Sequence, residues 1–290
     1  MRVLVTGSNG QLGSELRELS ERTDKIDWEF RNSESLDITD KNRVVQQIQS
    51  LKPDYVVNCA AYTAVDQAED ERPRAIEVNA LAVGYLANAC KETGATLIHF
   101  STDYVFDGNG TSPYLPHEEC RPIGVYGESK RLGEIEILSK EISALIIRTS
   151  WVYSSYGKNF VKTMMRLGAE RDELNVVSDQ IGAPTYAANL AHAVVDIIST
   201  SYTPDAPEIH HFSNSGSCSW YEFAREIMKL AELKCKVHPI STSQYPTKAK
   251  RPAYSLLSLD SFKTTFPDVD IPNWQEALGR CISRIKQTTN

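Results

Sequence analysis

The chain predicts an α/β fold, a Rossmann-type doubly wound parallel sheet with a smaller C-terminal substrate-binding lobe, and three observations carry that prediction. Short β-branched apolar runs alternate with segments of helical period through about the first 150 residues, the spacing of parallel strands joined by crossover helices. A glycine turn, Gly7-Ser8-Asn9-Gly10-Gln11-Leu12-Gly13, ends the first run and opens the first helix. Beyond about residue 150 the texture loosens, with longer loops and shorter strands.

In chain order, the strand candidates are Arg2 to Thr6, Trp28 to Phe30, Tyr55 to Cys59, Leu97 to Ser101 and Ala144 to Arg148. Between them, Leu12 to Ser20, Lys41 to Leu51, Ile76 to Glu92 and Tyr126 to Leu138 place apolar residues at helical intervals, as in Leu81, Val83, Leu86 and Cys90 of the third. In the second half, Gly182-Ala183-Pro184-Thr185 is a turn into a helix from Ala187 to Ser199, and Ser219 caps another from Trp220 to Leu233. Ser241 to Arg251 reads as a polar surface loop, and a last helix begins near Asn273 or Trp274. No repeat or low-complexity linker interrupts the chain. Residues 1–170 are expected to form the dinucleotide-binding domain, to which the chain returns near 186–213, and residues 171–290 the smaller lobe.

Composition narrows the function. With 290 residues, 41% apolar and 24% charged, the chain can bury a full core. A net charge of −7 argues against a general nucleic-acid surface, so an anionic substrate must be met by a local group of Arg and Lys. The six cysteines are scattered without a Cys-x-x-Cys pair, and no secretory signal precedes the first strand, so reduced thiols and a cytoplasmic location are expected. No apolar run is long enough to span a membrane. The six histidines show no helical pair at ligand spacing, and His210-His211 are neighbours that a strand would turn to opposite faces, so a structural metal is not expected.

The chemistry concentrates at strand ends. Gly7, Gly10 and Gly13, with Asn9, Gln11 and Leu12 between them, supply side-chain-free approach for a pyrophosphate at a helix N-terminus. Their first gap is that of short-chain dehydrogenase/reductases. The second strand ends in Phe30-Arg31-Asn32, with no acid for a ribose 2′-OH; Arg31 suits a 2′-phosphate, which favours NADPH over NADH. Asp37 and Ile38 are placed to flank an adenine, and Ala60, Ala61 and Tyr62 follow the third strand where a cofactor passes close to backbone. Ser101 and Thr102 put hydroxyls at the end of the fourth strand. Tyr126 and Lys130, four apart on one helix, share a face, so the ammonium is expected to favour phenolate and lower the tyrosine pKa for proton transfer.

The segments Thr6 to Gly13, Asn58 to Asp66, Ser101 to Gly108, Tyr126-Gly127-Glu128-Ser129-Lys130, Arg148 to Tyr153 and Asp179 to Thr185 together resemble, in order, the motifs of the dTDP-4-dehydrorhamnose reductase family, a branch of the extended short-chain dehydrogenase/reductases. The likeness runs through nearly the whole chain. It implies reduction of the C4 ketone of dTDP-4-dehydro-6-deoxy-L-mannose by NADPH or NADH, the last step of dTDP-L-rhamnose synthesis, which supplies cell-surface polysaccharide. Thr102, Tyr126 and Lys130 are then the catalytic set: Tyr126 protonates the C4 oxygen, Lys130 binds the nicotinamide ribose and tunes the phenol, and Thr102 hydrogen-bonds the carbonyl. Val65, Asp103, Tyr104 and Trp151 join Thr102 around the sugar, and Arg251, in Lys248-Ala249-Lys250-Arg251-Pro252, contacts the nucleotide diphosphate.

Some relatives dimerise through magnesium held by acids of the first helix and of the helix after Gly-Ala-Pro-Thr. Here Glu15 is present, but Ala187-Ala188-Asn189-Leu190-Ala191-His192 offers no carboxylate, so magnesium lacks its second set of ligands and a monomer or weak homodimer is expected. A nucleotide-sugar 4,6-dehydratase would want an Asp-Glu pair where Asp103 is followed by Tyr104. The resemblance also leaves room for a different reductase or epimerase of the same family, and for a non-catalytic subunit like the regulatory subunit of methionine adenosyltransferase, which fold alone does not separate.

Overall fold

The computed structural model describes residues 1–289. The first half alternates as the periodicity requires: β1 (Arg2–Thr6), α1 (Gln11–Ser20), β2 (Asp27–Phe30), α2 (Lys41–Leu51), β3 (Tyr55–Asn58), α3 (Val65–Ala68), α4 (Arg72–Ile76), a π-helical turn (Glu77–Leu81), α5 (Ala82–Thr93), β4 (Thr96–Thr102), α6 (Val125–Leu138) and β5 (Ala144–Thr149). The second half holds shorter pieces: β6 (Val152–Tyr153), α7 (Phe160–Glu170), β7 (Glu173–Val177), β8 (Ile181–Gly182), β9 (Thr185–Tyr186), α8 (Ala187–Ser199), β10 (Glu208–His211), β11 (Cys218–Ser219), α9 (Trp220–Ala231), β12 (Lys236–Ile240), α10 (Asp260–Thr265) and α11 (Trp274–Thr289).

Among the described residues, six strands form one parallel sheet in the order β10-β5-β4-β3-β1-β2. Side chains leave a strand on alternate faces, and both faces here are apolar. Val3, Val5, Val57, Ile98, Leu145 and Ile147 meet Leu12 and Leu16 of α1 and the apolar stripe of α8 on one face. Leu4, Val56, Leu97 and Ile146 meet Val44, Ile48, Val83, Leu86 and Ile137 from α2, α5 and α6 on the other. Burying each such side chain contributes about 1.5–3 kcal/mol, which is why these runs outcompete any slipped register.

Chain order reverses beside β1, whose neighbours are β2 on one side and β3 on the other. A crevice opens at the carboxyl ends of strands at such a switch point. Gly7 makes it possible: at φ +62° it turns the chain so closely under β3 that a Cβ would come 2.4 Å from the Ala60 nitrogen.

The smaller lobe has its own core, in which Val161 and Met164 of α7, Phe223 and Ile227 of α9, and Leu278 and Ile282 of α11 surround Leu174 and Val176 of β7. β7 pairs in parallel with β12. Although the sequence grouped residues through 170 with the nucleotide-binding half, α7 packs within this lobe, because its apolar stripe finds α9 and β7 rather than the large sheet. The helix predicted from Ile76 to Glu92 also differs. The π-helical turn interrupts it, turning Leu81 out to 47% exposure and burying Asn79, which brackets the Tyr62 backbone (Asn79 Oδ1 accepts from Tyr62 N at 2.9 Å; Asn79 Nδ2 donates to Tyr62 O at 2.9 Å) and donates to Ser129 Oγ at 3.0 Å. The predicted third strand stops one residue short of Cys59, and Ser219 caps α9 through a reciprocal box with Glu222.

Candidate active site

Two hollows open near the carboxyl ends of the strands. The first, about 350 Å³, lies at the switch point and is lined by Gly7, Asn9 and Gly10 from the turn, Asp37 and Ile38 from the segment after β2, and Ala60, Ala61 and Tyr62 after β3. α1 starts at Gly10 with no side-chain cap and no acid in its first turn, so its leading N–H groups and the positive end of its dipole face this cleft. A side-chain-free turn at an uncapped helix start fits a dinucleotide pyrophosphate. Cys59 stands beside Ala60, and Asn32, Ser33, Leu36, Thr39, Arg74 and Val78 complete the wall. Sequence reasoning missed these six, since nothing in spacing brings Arg74 and Val78, from α4 and the π-helical turn, beside the loop that follows β2.

Other expected cofactor residues fall elsewhere. Gln11 accepts a hydrogen bond from Asn159 Nδ2 at 3.0 Å, Leu12 is in the core below α1, and Gly13 lets the helix sit against Gly7 and Ser8, where a Cβ would fall 2.6 Å from the Gly7 oxygen. Arg31 does not line the cleft: its guanidinium pairs with Glu29 at 2.9 Å and donates to the Phe30 carbonyl at 3.1 Å. Residues two apart on a strand share a face, and Glu29 wins the cation by proximity.

The second hollow, about 710 Å³, lies in the lobe between α7, β7 and the segment after β12, with Phe160, Trp220, Gln180, Tyr104 and Arg251 among its walls. Trp151, held at φ +47°, stacks on Trp220 with centroids 3.6 Å apart. Val65 starts α3, whose Asp66 binds Arg251 through both oxygens, at 2.7 and 3.2 Å. Ser241 to Arg251 is therefore not a free surface loop. Gln244, Tyr245 and Thr247 wall the hollow, and Arg251–Asp66 and Lys248–Asp70 ion pairs tie the segment to the first half.

Between the hollows stands α6. Gly127 lets it ride over the Tyr104 backbone, where any Cβ would meet the Tyr104 oxygen at 2.1 Å, and the rings of Tyr104 and Tyr126 meet edge to face at 5.5 Å. Lys130, 2% exposed, donates to the Phe100 carbonyl at 2.6 Å and lies 3.3 Å from His99 Nε2. Burial pulls the ammonium down to about 8 against the opposing pull of Glu134. The expected lowering of the tyrosine is reversed: burial, with Asp103 adding to it, pushes Tyr126 up to about 12 despite a hydrogen bond with Thr102. Desolvation outweighs the lysine, whose nitrogen is turned toward the β4 backbone and His99. Thr102 donates to Asp103 Oδ1 at 3.0 Å and accepts from the Tyr104 N–H at 3.2 Å, so its proton points to a carboxylate rather than to open space. Burial raises Asp103 to about 6, opposed by hydrogen bonds with Ser255 and Thr102.

A parallel doubly wound sheet, a glycine turn at its switch point and a Tyr-x-x-x-Lys pair, half-buried tyrosine and buried lysine, on the following helix wall define a dinucleotide-dependent oxidoreductase of the short-chain dehydrogenase/reductase class. The model of the RmlD substrate binding domain family matches residues 1–287. A dTDP-4-dehydrorhamnose reductase of Sinorhizobium fredii is 42% identical over 97% of each chain, and that of Escherichia coli K12 is 39% identical over 100% of this chain and 99% of its own. The crystal structure of the Bacillus anthracis dTDP-4-dehydrorhamnose reductase in complex with NADP superposes with a TM-score of 0.92 at 42% identity, covering 98% of this chain and 99% of that one. The chain belongs to the dTDP-4-dehydrorhamnose reductase family.

Proposed function

We propose that this protein reduces the C4 ketone of dTDP-4-dehydro-6-deoxy-L-mannose to give dTDP-L-rhamnose, using NADPH or NADH, with Tyr126, Lys130 and Thr102 as its catalytic set. The observation that carries the assignment of roles is the position of Tyr126, in ring contact with a wall of the larger hollow and one helical turn from a lysine buried against β4. When bound, the nicotinamide cofactor supplies the hydride. The turn from Gly7 to Gly10 and the start of α1 hold its pyrophosphate, Asp37 and Ile38 flank the adenine, and Arg74 meets anionic groups there.

A phenol held near 12 keeps its proton at neutral pH, the state a proton donor needs. Tyr126 passes that proton to the C4 oxygen as negative charge develops on it. Lys130 in its ammonium form stabilises the phenolate left behind and reaches the ribose of the cofactor. Thr102, whose proton rests on Asp103, would turn that proton to the same oxygen when substrate is bound. The lobe hollow takes the nucleotide end of the substrate, with Phe160 and Trp220 offering ring faces and Arg251 a cation, while Val65, Tyr104 and Trp151 surround the sugar. The protein acts as a monomer or weak homodimer in the cytoplasm and feeds a cell-surface polysaccharide. Loss of NADPH absorbance on adding the keto sugar, with the product identified as dTDP-L-rhamnose, tests the reading; binding of the cofactor without turnover would favour a regulatory subunit instead.

A further inference from the structure

A row of buried polar groups runs from the cleft wall to Lys130, crossing β1, β3 and β4. The Ala60 N–H donates to Asn58 Oδ1 at 3.2 Å, and the Thr6 hydroxyl donates to the same oxygen at 2.7 Å. A backbone N–H can only donate, so Asn58 must present its oxygen to Ala60 and its NH2 to the other side. There Asn58 Nδ2 lies 3.0 Å from His99 Nδ1. An amide NH2 also only donates, so Nδ1 carries a lone pair. His99 has no exposure, and burial, with Lys130 adding to it, holds the ring neutral; its single proton is then on Nε2.

That N–H faces Lys130 Nζ at 3.3 Å. The lysine nitrogen also donates to the Phe100 carbonyl, an acceptor, at 2.6 Å. An uncharged amine satisfies both neighbours, accepting from His99 and donating to Phe100. An ammonium would set one of its own hydrogens against the His99 N–H.

Resting on the reading that Lys130 works as an ammonium beside Tyr126, we propose that His99 is a positioning residue: locked by Asn58 in the Nε2–H tautomer, it aims a donor at Lys130 and disfavours the charged form. Lys130 then gains or loses its proton in the working pH range rather than standing permanently charged. The other titratable groups about the pair are Glu134 on α6, which favours the ammonium, Tyr126 on the same helix, Asp103 at the end of β4, and Cys59 after β3, whose thiol burial keeps neutral. The lysine nitrogen's side-chain contact is with the fixed donor of His99, which adds to the burial that already disfavours the ammonium against Glu134.

The discriminating change is Asn58→Asp. A carboxylate keeps the contacts with Ala60 and Thr6 but accepts where the amide donated, so His99 must move its proton to Nδ1 and turn a lone pair to the lysine. Two-dimensional 15N NMR of the histidine ring and of the lysine side-chain nitrogen reads tautomer and titration directly, with no need for substrate. The unsubstituted protein should show the Nε2–H tautomer. In Asn58→Asp the tautomer should flip and the Lys130 midpoint should rise by about one pH unit or more, a roughly tenfold gain in ammonium at a given alkaline pH. His99→Phe should raise the midpoint as well, and should either variant fail to fold, the tautomer in the unsubstituted protein still decides. An Nδ1–H tautomer in the unsubstituted protein, or a midpoint that stays put in Asn58→Asp, overturns the proposal. Turnover with the keto sugar, measured separately, tells whether the reductase reading fails with it.

Discussion

Glu134→Gln is expected to cost about 3–5 kcal/mol of folding stability, the scale on which a buried charge is felt when its partner is removed. Glu134 has no exposure and Arg148 has 1%. The carboxylate accepts from Arg148 Nε and Nη2, each at 2.8 Å, and from Arg131 Nη1 at 2.8 Å. Glutamine preserves the shape but sets an NH2 against a guanidinium and leaves Arg148 only the Pro116 carbonyl and the Cys120 sulfur as further acceptors. Burial alone would raise Glu134, but the Arg148 hydrogen bonds and charge outweigh it, and the net shift is downward. A carboxylate lowered on folding contributes stability that is complete above its unfolded value of 4.5 and is lost as pH falls through the lower folded value. Urea unfolding followed by circular dichroism and by fluorescence gives both tests: the variant should unfold at lower urea at neutral pH, and the gap between variant and parent should close in acid. Adding Arg148→Met should restore much of the loss, since an apolar replacement of the pair leaves no unpaired charge. A loss below about 1 kcal/mol, the worth of an exposed pair, would refute the claim that this ion pair clamps α6 to β5.

Both arginines are ion-paired, Arg74 with Glu77 at 2.6 Å and Arg31 with Glu29 at 2.9 Å, but Arg74 lines the cleft and Arg31 does not, so Arg74→Ala should weaken NADPH binding by roughly tenfold or more, the scale of one charge-assisted hydrogen bond, whereas Arg31→Ala should change it little. Titration calorimetry with each variant checks the ranking, and the opposite order would return the 2′-phosphate contact to Arg31. Glu15 is buried with Ser154 at 2.5 Å and Arg284 at 2.8 Å, and Arg284 also pairs with Glu18, so both acids of α1 are already engaged within the chain. Mass by light scattering and turnover should therefore be unchanged in EDTA; a magnesium-dependent dimer would mean that these pairs open.

Much of the fold was legible because parallel strands buried on both faces leave nearly continuous apolar runs, and because crossover helices repeat at a readable period. The place of Gly7 and Gly10 on the switch-point cleft was legible for a related reason: spacing records the tight turn that brings them there. What spacing does not record is competition for a charge. Arg31 looked free although Glu29 stood two residues away on the same strand face, and the tyrosine was expected to fall because burial, which pushes it up, is a tertiary quantity. The π-helical turn at Glu77–Leu81 preserves the apolar period nearly well enough to pass for plain helix, yet it carries Asn79 into the backbone of Tyr62. The segment from Ser241 to Arg251 read as solvent-facing because its polar side chains serve Asp66, Asp70 and the rim of the lobe hollow, all distant in sequence.

The central claim is that Tyr126 delivers the proton to a C4 ketone of a nucleotide sugar. Tyr126→Phe keeps the ring contact with Tyr104 and removes only the hydroxyl. Reduction of dTDP-4-dehydro-6-deoxy-L-mannose, followed by NADPH oxidation and by the appearance of dTDP-L-rhamnose, should proceed with the parent and fall by roughly a hundredfold or more in the variant, the usual scale of general acid catalysis, with NADPH affinity unchanged. Near-parental turnover by the Tyr126→Phe protein would contradict the account.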